Sequence, residues 1–422
     1  MTRSSTLLLR SRVAAGAASV LTLATVAAAC GSAPAAASSS ASPSATVASA
    51  PAASPTDAGA ASSPSDAGAA SSPAMSTSET ATASGAPSTS GGAGGAAAAA
   101  YKACMVLDTG GVSDHSFNQS SWAGMQAVAK KNPKVAISYV NSNSSADYAP
   151  NFANEVAKKC DTIVGVGGLM ISQMAAAAKA APSQQFAEVD APSTQKNLFS
   201  IQFDTAQGGF LGGYLAASIS KTGKVGTFGG LKIGPVTVYM DGFYDGVQYY
   251  DSQKNKSVQV LGWNVKTQNG TFVGGNNAFS DSGAGKNISN ALIQQGADVL
   301  FPVAGGAGLG AGAAAQASGG KVSVLWVDTD GCLSAAQYCS VFLSSVVKGL
   351  TTAVQTYVEA AAAGKVPATG YVGTLANGGT GLAPFHDFES KVPASVKAEL
   401  ATVTKGIESG SIKVSSPSAP AS

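Results

Sequence analysis

Few side chains in this sequence have the makings of reactive chemistry. Histidine occurs twice, at His115 and His386, with no His-x-x-His pair, no Gly-x-Ser-x-Gly elbow and no metal-ligand spacing around them. A metallohydrolase or serine hydrolase therefore lacks its parts, and neither a metal nor a cofactor is expected. The acidic residues are scattered singly, whereas a nucleoside hydrolase would want a run of aspartates holding Ca²⁺ near one strand end. One motif competes. Gly308-Leu309-Gly310-Ala311-Gly312-Ala313 follows an apolar run and fits G-x-G-x-x-A, with Asp328 twenty residues on, the spacing of a dinucleotide fingerprint. A NAD-type oxidoreductase would need a cytosolic cofactor pool, and glycines also let backbones approach a ligand or a second lobe closely. No enzyme is expected.

Charge narrows the partners. The first hundred residues carry three of the 25 basic and three of the 23 acidic side chains, leaving 22 and 20 in the rest. No basic face of the kind that binds nucleic acid follows from such a balance. All arginines lie within positions 1–12. Beyond them every cation is a lysine, so no guanidinium fork is on offer for a carboxylate, a phosphate or guanine.

The amino end reads as an address. Arg3, Arg10 and Arg12 precede a small-to-apolar run from Val13 to Ala29, the layout of an export signal (1–29). Val26-Ala27-Ala28-Ala29-Cys30 then resembles the lipobox of bacterial lipoproteins, with Cys30 as the lipidated residue. The chain is expected outside the cytoplasm, anchored to the outer face of the cell membrane. Residues 30–100 are Ala/Ser/Pro-rich, with a nonapeptide from Thr56 to Pro64 nearly repeated from Ser65 to Pro73. Such a stretch buries too little apolar surface to offset chain entropy and is expected to be a disordered tether, with a reach of about 45 Å.

Four cysteines remain, Cys104, Cys160, Cys332 and Cys339, an even number for an oxidising compartment. Of their three possible pairings, the expected one joins Cys332 to Cys339 as a local loop. Cys104 would then join Cys160, on strands that neighbour one another if the sheet order is 2-1-3-4-5.

These residues need a scaffold, and the apolar pattern describes it. Strands are expected at Ala103–Leu107, Val135–Val140, Thr162–Val166, Gln185–Val189 and Phe199–Phe203, with helical segments at Trp122–Lys131 and Phe152–Lys159. The pattern restarts at Lys224–Phe228, Val258–Trp263, Asp298–Val303, Val322–Val327 and Val341–Val346. Strand-helix alternation run twice means an α/β protein with two doubly wound parallel-sheet lobes. Lobe 1 is expected over about 101–205 plus part of 335–365, and lobe 2 over about 206–330 plus part of the C-terminal segment. A disordered tail is expected at 416–422. Ligands of such sheets sit at the carboxyl ends of the strands, here loops 108–118, 204–207, 274–281, 303–310, 328–331 and 347–349.

One of those loops carries a resemblance. Asp108-Thr109-Gly110-Gly111-Val112-Ser113-Asp114-His115-Ser116-Phe117-Asn118-Gln119-Ser120-Ser121-Trp122-Ala123-Gly124 resembles the opening motif of the basic membrane protein family of ABC-transporter substrate-binding lipoproteins. Gly208–Leu215, Phe228-Gly229-Gly230, Gly296–Leu300, Val303–Gly310, Val327–Asp330 and Ser345–Lys348 follow in family order. The resemblance implies a type I periplasmic-binding-protein fold over 101–415, with a hinge of crossing strands and a nucleoside, purine foremost, trapped on closure. It implies a permease and an ATPase as partners, a monomer, and no nucleic acid.

Carried over by position, it makes Phe117 a stacking face for the base and gives Asn118 its edge. Asp108 would accept from base or sugar, and Asp204 would be a ligand acid near the hinge. Asp328 would take a ribose diol and Lys348 would donate to ribose. Ser116, Gly305 and Gly306 fall in the same ligand-facing motifs. Phe279 is expected on the opposite base face, with Phe243 as its competitor. A free sugar is the rival ligand, and signalling without a permease the rival role.

Overall fold

The computed structural model describes residues 101–421. The leader, Cys30 and the tether, together with Ser422, lie outside the described residues. No helix among the described residues is long and apolar enough to cross a membrane.

Lobe 1 opens with β1 (Tyr101–Leu107), whose last five residues are buried, as in a strand covered on both faces. α1 (Phe117–Lys131) turns Ser121, Gly124, Met125 and Val128 inward, the three-and-four spacing of one helical face. β2 (Val135–Val140), α2 (Tyr148–Ala157), β3 (Thr162–Val166), α3 (Ile171–Ala180), β4 (Gln185–Val189) and β5 (Leu198–Phe203) complete the run.

The chain then crosses into lobe 2. There it forms α4 (Thr205–Ile219), β6 (Lys224–Gly229), α5 (Gly234–Lys254), β7 (Gln259–Leu261) and a small hairpin of β8 (Trp263–Asn264) and β9 (Asn269–Gly270). α6 (Ser282–Gln294), β10 (Val299–Val303), α7 (Leu309–Ala317), β11 (Ser323–Asp328), α8 (Gly331–Ser334) and β12 (Phe342–Lys348) follow. A second crossing sends α9 (Leu350–Ala362) and β13 (Tyr371–Gly373) to lobe 1, and a third returns β14 (Thr380–Leu382) and α10 (Ala394–Glu408) to lobe 2.

The lobe 1 sheet runs β2-β1-β3-β4-β5-β13, all parallel. The lobe 2 sheet repeats the order as β7-β6-β10-β11-β12, with β14 antiparallel at its edge. The expected doubly wound order holds in both. β12 stays in lobe 2 to Lys348, so lobe 1 regains the chain only at α9. The three crossings are tied together: Asp204 N donates to Gly373 O at 2.8 Å, Gly349 N to Gly379 O at 2.8 Å, and Leu375 N to Gln207 Oε1 at 2.9 Å.

Both expected disulfides are present. Cys104 of β1 joins Cys160, just before the adjacent β3, with Cα atoms 5.9 Å apart, and Cys332 joins Cys339 at 4.6 Å. α4 and α5 pack backbone to backbone, because a Cβ at Gly213 would strike the Phe243 carbonyl and one at Gly246 the Phe210 carbonyl.

Two expectations need correction. The strand at Val258–Trp263 breaks at Gly262, whose φ of +83° turns the chain into the β8–β9 hairpin. The tail expected to be disordered is seated along α5 over its first residues: Ser416 Oγ donates to Asp241 Oδ2 at 2.6 Å, and Ser418 Oγ lies 2.8 Å from Thr237 Oγ1. Asp241 is fully buried, and a buried carboxyl needs every donor it can recruit.

Candidate ligand-binding site

Between the lobes lies a small cavity lined by residues of both, the concave setting of small-molecule sites. The carboxyl ends of both sheets frame it. Lobe 1 supplies Asp108 after β1, Phe117 and Asn118 at the start of α1, Gly167 to Leu169 after β3, and Asp190 after β4. Lobe 2 supplies Ile233, Pro235, Val236 and Tyr239 at the head of α5, then Phe279, Val303, Gly305, Val327, Asp328 and Lys348.

The loop after β1 is folded by its own carboxyls. Asp114 accepts from Ser116 N at 3.0 Å, Asn118 N at 2.8 Å, Gln119 N at 3.1 Å and Asn118 Nδ2 at 3.2 Å, so it caps α1 from within the loop. Asp108 Oδ1 accepts from Gly110 N at 2.9 Å and Asn118 Nδ2 at 2.8 Å. Burial, opposed by these hydrogen bonds, pushes both aspartates up to about 6. Gly167, at φ +126°, leaves room for Asp108, since a Cβ there would strike its Oδ2.

Lys348 is the cavity's one lysine. Its Nζ lies 2.7 Å from Asp190 Oδ2 and 4.0 Å from Asp328 Oδ1. It also stands 5.0, 5.5 and 5.4 Å from the ring centroids of Phe117, Phe203 and Tyr239, a setting that favours a partly desolvated cation. Asp190 is raised by burial, with Lys348 pulling the other way. Asp328 is held from both lobes, accepting from Tyr239 Oη and from Ser116 Oγ, each at 2.8 Å. Further along, His115 Nδ1 meets the Ser334 carbonyl, and Thr329 Oγ1 donates to His115 O at 3.2 Å. These bonds cross the cleft and hold it closed.

Set against known proteins, residues 101–376 match the family described as ABC transporter substrate-binding protein PnrA-like. This chain belongs to that family. It is 31% identical to an ABC transporter nucleoside-binding protein, BmpA, of Lactococcus lactis, over 67% of this chain and 81% of the relative. It is 32% identical to a CD4+ T-cell-stimulating antigen of Listeria monocytogenes, over 74% and 88%. A solute-binding protein of an ABC transporter system from Aeropyrum pernix shares the fold, at TM-score 0.66 and 24% identity over 75% of this chain and 94% of that one.

In this PnrA-like chain, seven of the expected site residues line the cavity: Asp108, Phe117, Asn118, Phe279, Gly305, Asp328 and Lys348. Three do not. Asp204 stands at the first crossing, where its Oδ2 accepts from Gln207 Nε2 at 2.8 Å; it follows β5, close to the hinge. Ser116 turns its hydroxyl to Asp328 across the cleft, and Gly306 is buried in the helical turn Gly305–Gly308. Phe243 is fully buried, with its ring centroid 5.3 Å from that of Phe301 in the lobe 2 core, so of the two candidates it is Phe279 that lines the cavity, with Phe117 and Tyr239. The glycines of Gly308–Ala313 are filled by protein, Gly310 abutting α6 and Gly312 the Tyr338 ring. Two groups of metal-ligating side chains occur among the described residues, Cys104/Glu155/Cys160 and Asp330/Cys332/His386. Their cysteines are all in disulfides and offer no thiolate.

The sequence reading did not single out Asp190 or Tyr239. Asp190 ends β4, as Asp108 ends β1, so the rule of strand ends applied to β4 would have found it. Tyr239 lies inside α5, and nothing local marks it.

Proposed function

We propose that this ABC transporter substrate-binding protein traps a neutral nucleoside, purine foremost, between its lobes for delivery to a permease. The observation that carries the reading is the inventory of the cavity. Phe117 and Phe279 come one from each lobe, and aromatic faces suit a base. Four aspartates, Asp108, Asp114, Asp190 and Asp328, line the cavity with the single Lys348, which is already tied to Asp190. A phosphate or carboxylate would meet repulsion there, whereas ribose hydroxyls and base N–H groups would meet acceptors. The Lactococcus lactis relative, named as nucleoside-binding, supports the same ligand class.

Calorimetry tests this on the purified chain, unfolded and refolded to strip bound ligand, against adenosine, guanosine, inosine, uridine, ribose and adenine. Nucleosides are expected to bind and the free sugar and base to bind far more weakly. A response to ribose alone would overturn the ligand and leave the fold untouched. We further propose lipid anchorage through Cys30. Cys30→Ala is expected to release the protein to the medium or leave it unprocessed, and cleavage elsewhere with no lipid on Cys30 would remove that claim.

A further inference from the structure

Given a nucleoside in the cavity, which is the reading just proposed, the orientation of one buried amide selects the base. Asn118 is 1% exposed. Its Nδ2 faces two carboxyls, at 2.8 Å from Asp108 Oδ1 and 3.2 Å from Asp114 Oδ2. Rotating the amide by half a turn would set its oxygen against both, so electrostatics fix the orientation. Asn118 Oδ1 is thereby left buried with no partner in the protein. Asp108 is arranged in a similar way. Its Oδ1 serves Gly110 N and Asn118 Nδ2, while Oδ2 lies beside Gly167, which also lines the cavity. A buried acceptor without a donor is costly.

We infer that Asp108 Oδ2 and Asn118 Oδ1 form an acceptor-only pair that selects a base edge carrying two adjacent N–H donors, the N1–H and N2–H₂ edge of guanine. Hypoxanthine supplies N1–H alone. Adenine sets its N1 lone pair beside N6–H₂, so one acceptor of the pair would meet an acceptor. Xanthine keeps N1–H but puts a carbonyl oxygen where guanine has its amine. Neither side chain of the pair has a donor left over with which to reward those edges, because the Asn118 NH₂ is spent on the two aspartates.

The test is a ladder of nucleosides titrated calorimetrically into the stripped, full-length protein at pH 7.5. Guanosine is expected to bind roughly tenfold or more tighter than inosine, which lacks one donor, and roughly a hundredfold tighter than adenosine or xanthosine, which set an acceptor against an acceptor in a dry site. Asp108→Asn is the sharper arm. The amide keeps an oxygen for Gly110 and Asn118 and turns the free atom from acceptor to donor, so guanosine is expected to weaken and the guanosine-to-adenosine ratio to fall at least tenfold. That ratio is insensitive to a uniform loss of folded protein, and the wild-type ladder stands if the variant does not fold. Adenosine binding as tightly as guanosine in the wild type, or an unchanged ratio in Asp108→Asn, overturns the inference while the nucleoside reading survives. No binding of any nucleoside removes both.

Discussion

The two walls of the cleft are built on the same strand order and do opposite work. The lobe 1 wall is polar: Asp108, Asp114, Asn118 and Asp190 gather there with two glycines and the ring of Phe117. The lobe 2 wall is mostly apolar, with Ile233, Pro235, Val236, Phe279, Val303 and Val327. To these it adds Asp328, the Tyr239 that holds it, and Lys348. One fold thus carries either chemistry, because the strand ends present whatever side chains the sequence puts there. The acids of one wall need the cation of the other, and that need is met only when the lobes are together. Closure is therefore built into the charge arrangement, with the Lys348–Asp190 and Ser116–Asp328 contacts spanning the cleft.

Removing the cation should break this division most severely. Lys348→Met leaves Asp190 and Asp328 buried without a counter-charge and is expected to cost about 3–5 kcal/mol of closed-form stability. Ligand binding should vanish with it. Urea unfolding and calorimetry read both, and wild-type values in the two would mean that the pair is not what joins the walls.

The lobes also differ in their staples. Opening Cys104–Cys160, which closes a separation of 56 residues, is expected to destabilise by about 4 kcal/mol on the chain-entropy account. Opening Cys332–Cys339, with a separation of 7, should cost about 2.5 kcal/mol. Paired Cys→Ser variants compared by thermal melting check the order, and the reverse ranking would contradict it.

Phe279→Ala removes the aromatic face of the apolar wall and should weaken a nucleoside by about 1–3 kcal/mol, with the melting temperature of the free protein little changed. Equal binding by the variant would move the stacking role elsewhere.

A pH series separates the walls again, because the raised carboxyls that line the cavity all belong to lobe 1. Burial lifts Glu188, on β4 behind the cavity, to about 8, with Asp190 nearby adding to it, and lifts Asp108 and Asp114 to about 6. A carboxyl that holds its proton more tightly when folded destabilises the fold once ionised. That cost is greatest above pH 8 and is relieved as the pH falls, first through Glu188 and then through the aspartates. The unliganded protein is expected to melt at a higher temperature at pH 5.5 than at pH 8.5. Glu188→Gln should flatten the upper part of the slope. Nucleoside affinity should move the other way below pH 6, as Asp108 loses an acceptor. A melting temperature that rises with pH over this range would falsify the assignment.

Asp204→Ala is expected to have the smallest effect, less than about twofold on affinity, because the hinge position of Asp204 keeps it off the ligand. A loss as large as that of Phe279→Ala would return Asp204 to the site.

Asp108, Phe117 and Asn118 were legible in the sequence because they sit in one contiguous loop whose glycines, acids and following helix are read together. Phe279 was legible only as one of two candidates, since burial in the lobe 2 core is what removes Phe243. β13 and β14 escaped the pattern. They are three residues each and glycine-containing, and they exist because β5 and β12 offer open edges for them to pair with.

Periodicity and strand-helix alternation in the sequence were enough to settle two doubly wound sheets, since burying an apolar run of five or six residues on both faces leaves few other solutions. The motifs were enough to name the family. Partnership was decided by tertiary structure alone. Lys348 meets Asp190 from 158 positions away, and Ser116 meets Asp328 from 212. No local pattern encodes such pairs, because they form only when two separately folded sheets bring their strand ends to one cleft, where low dielectric makes each unmatched charge costly.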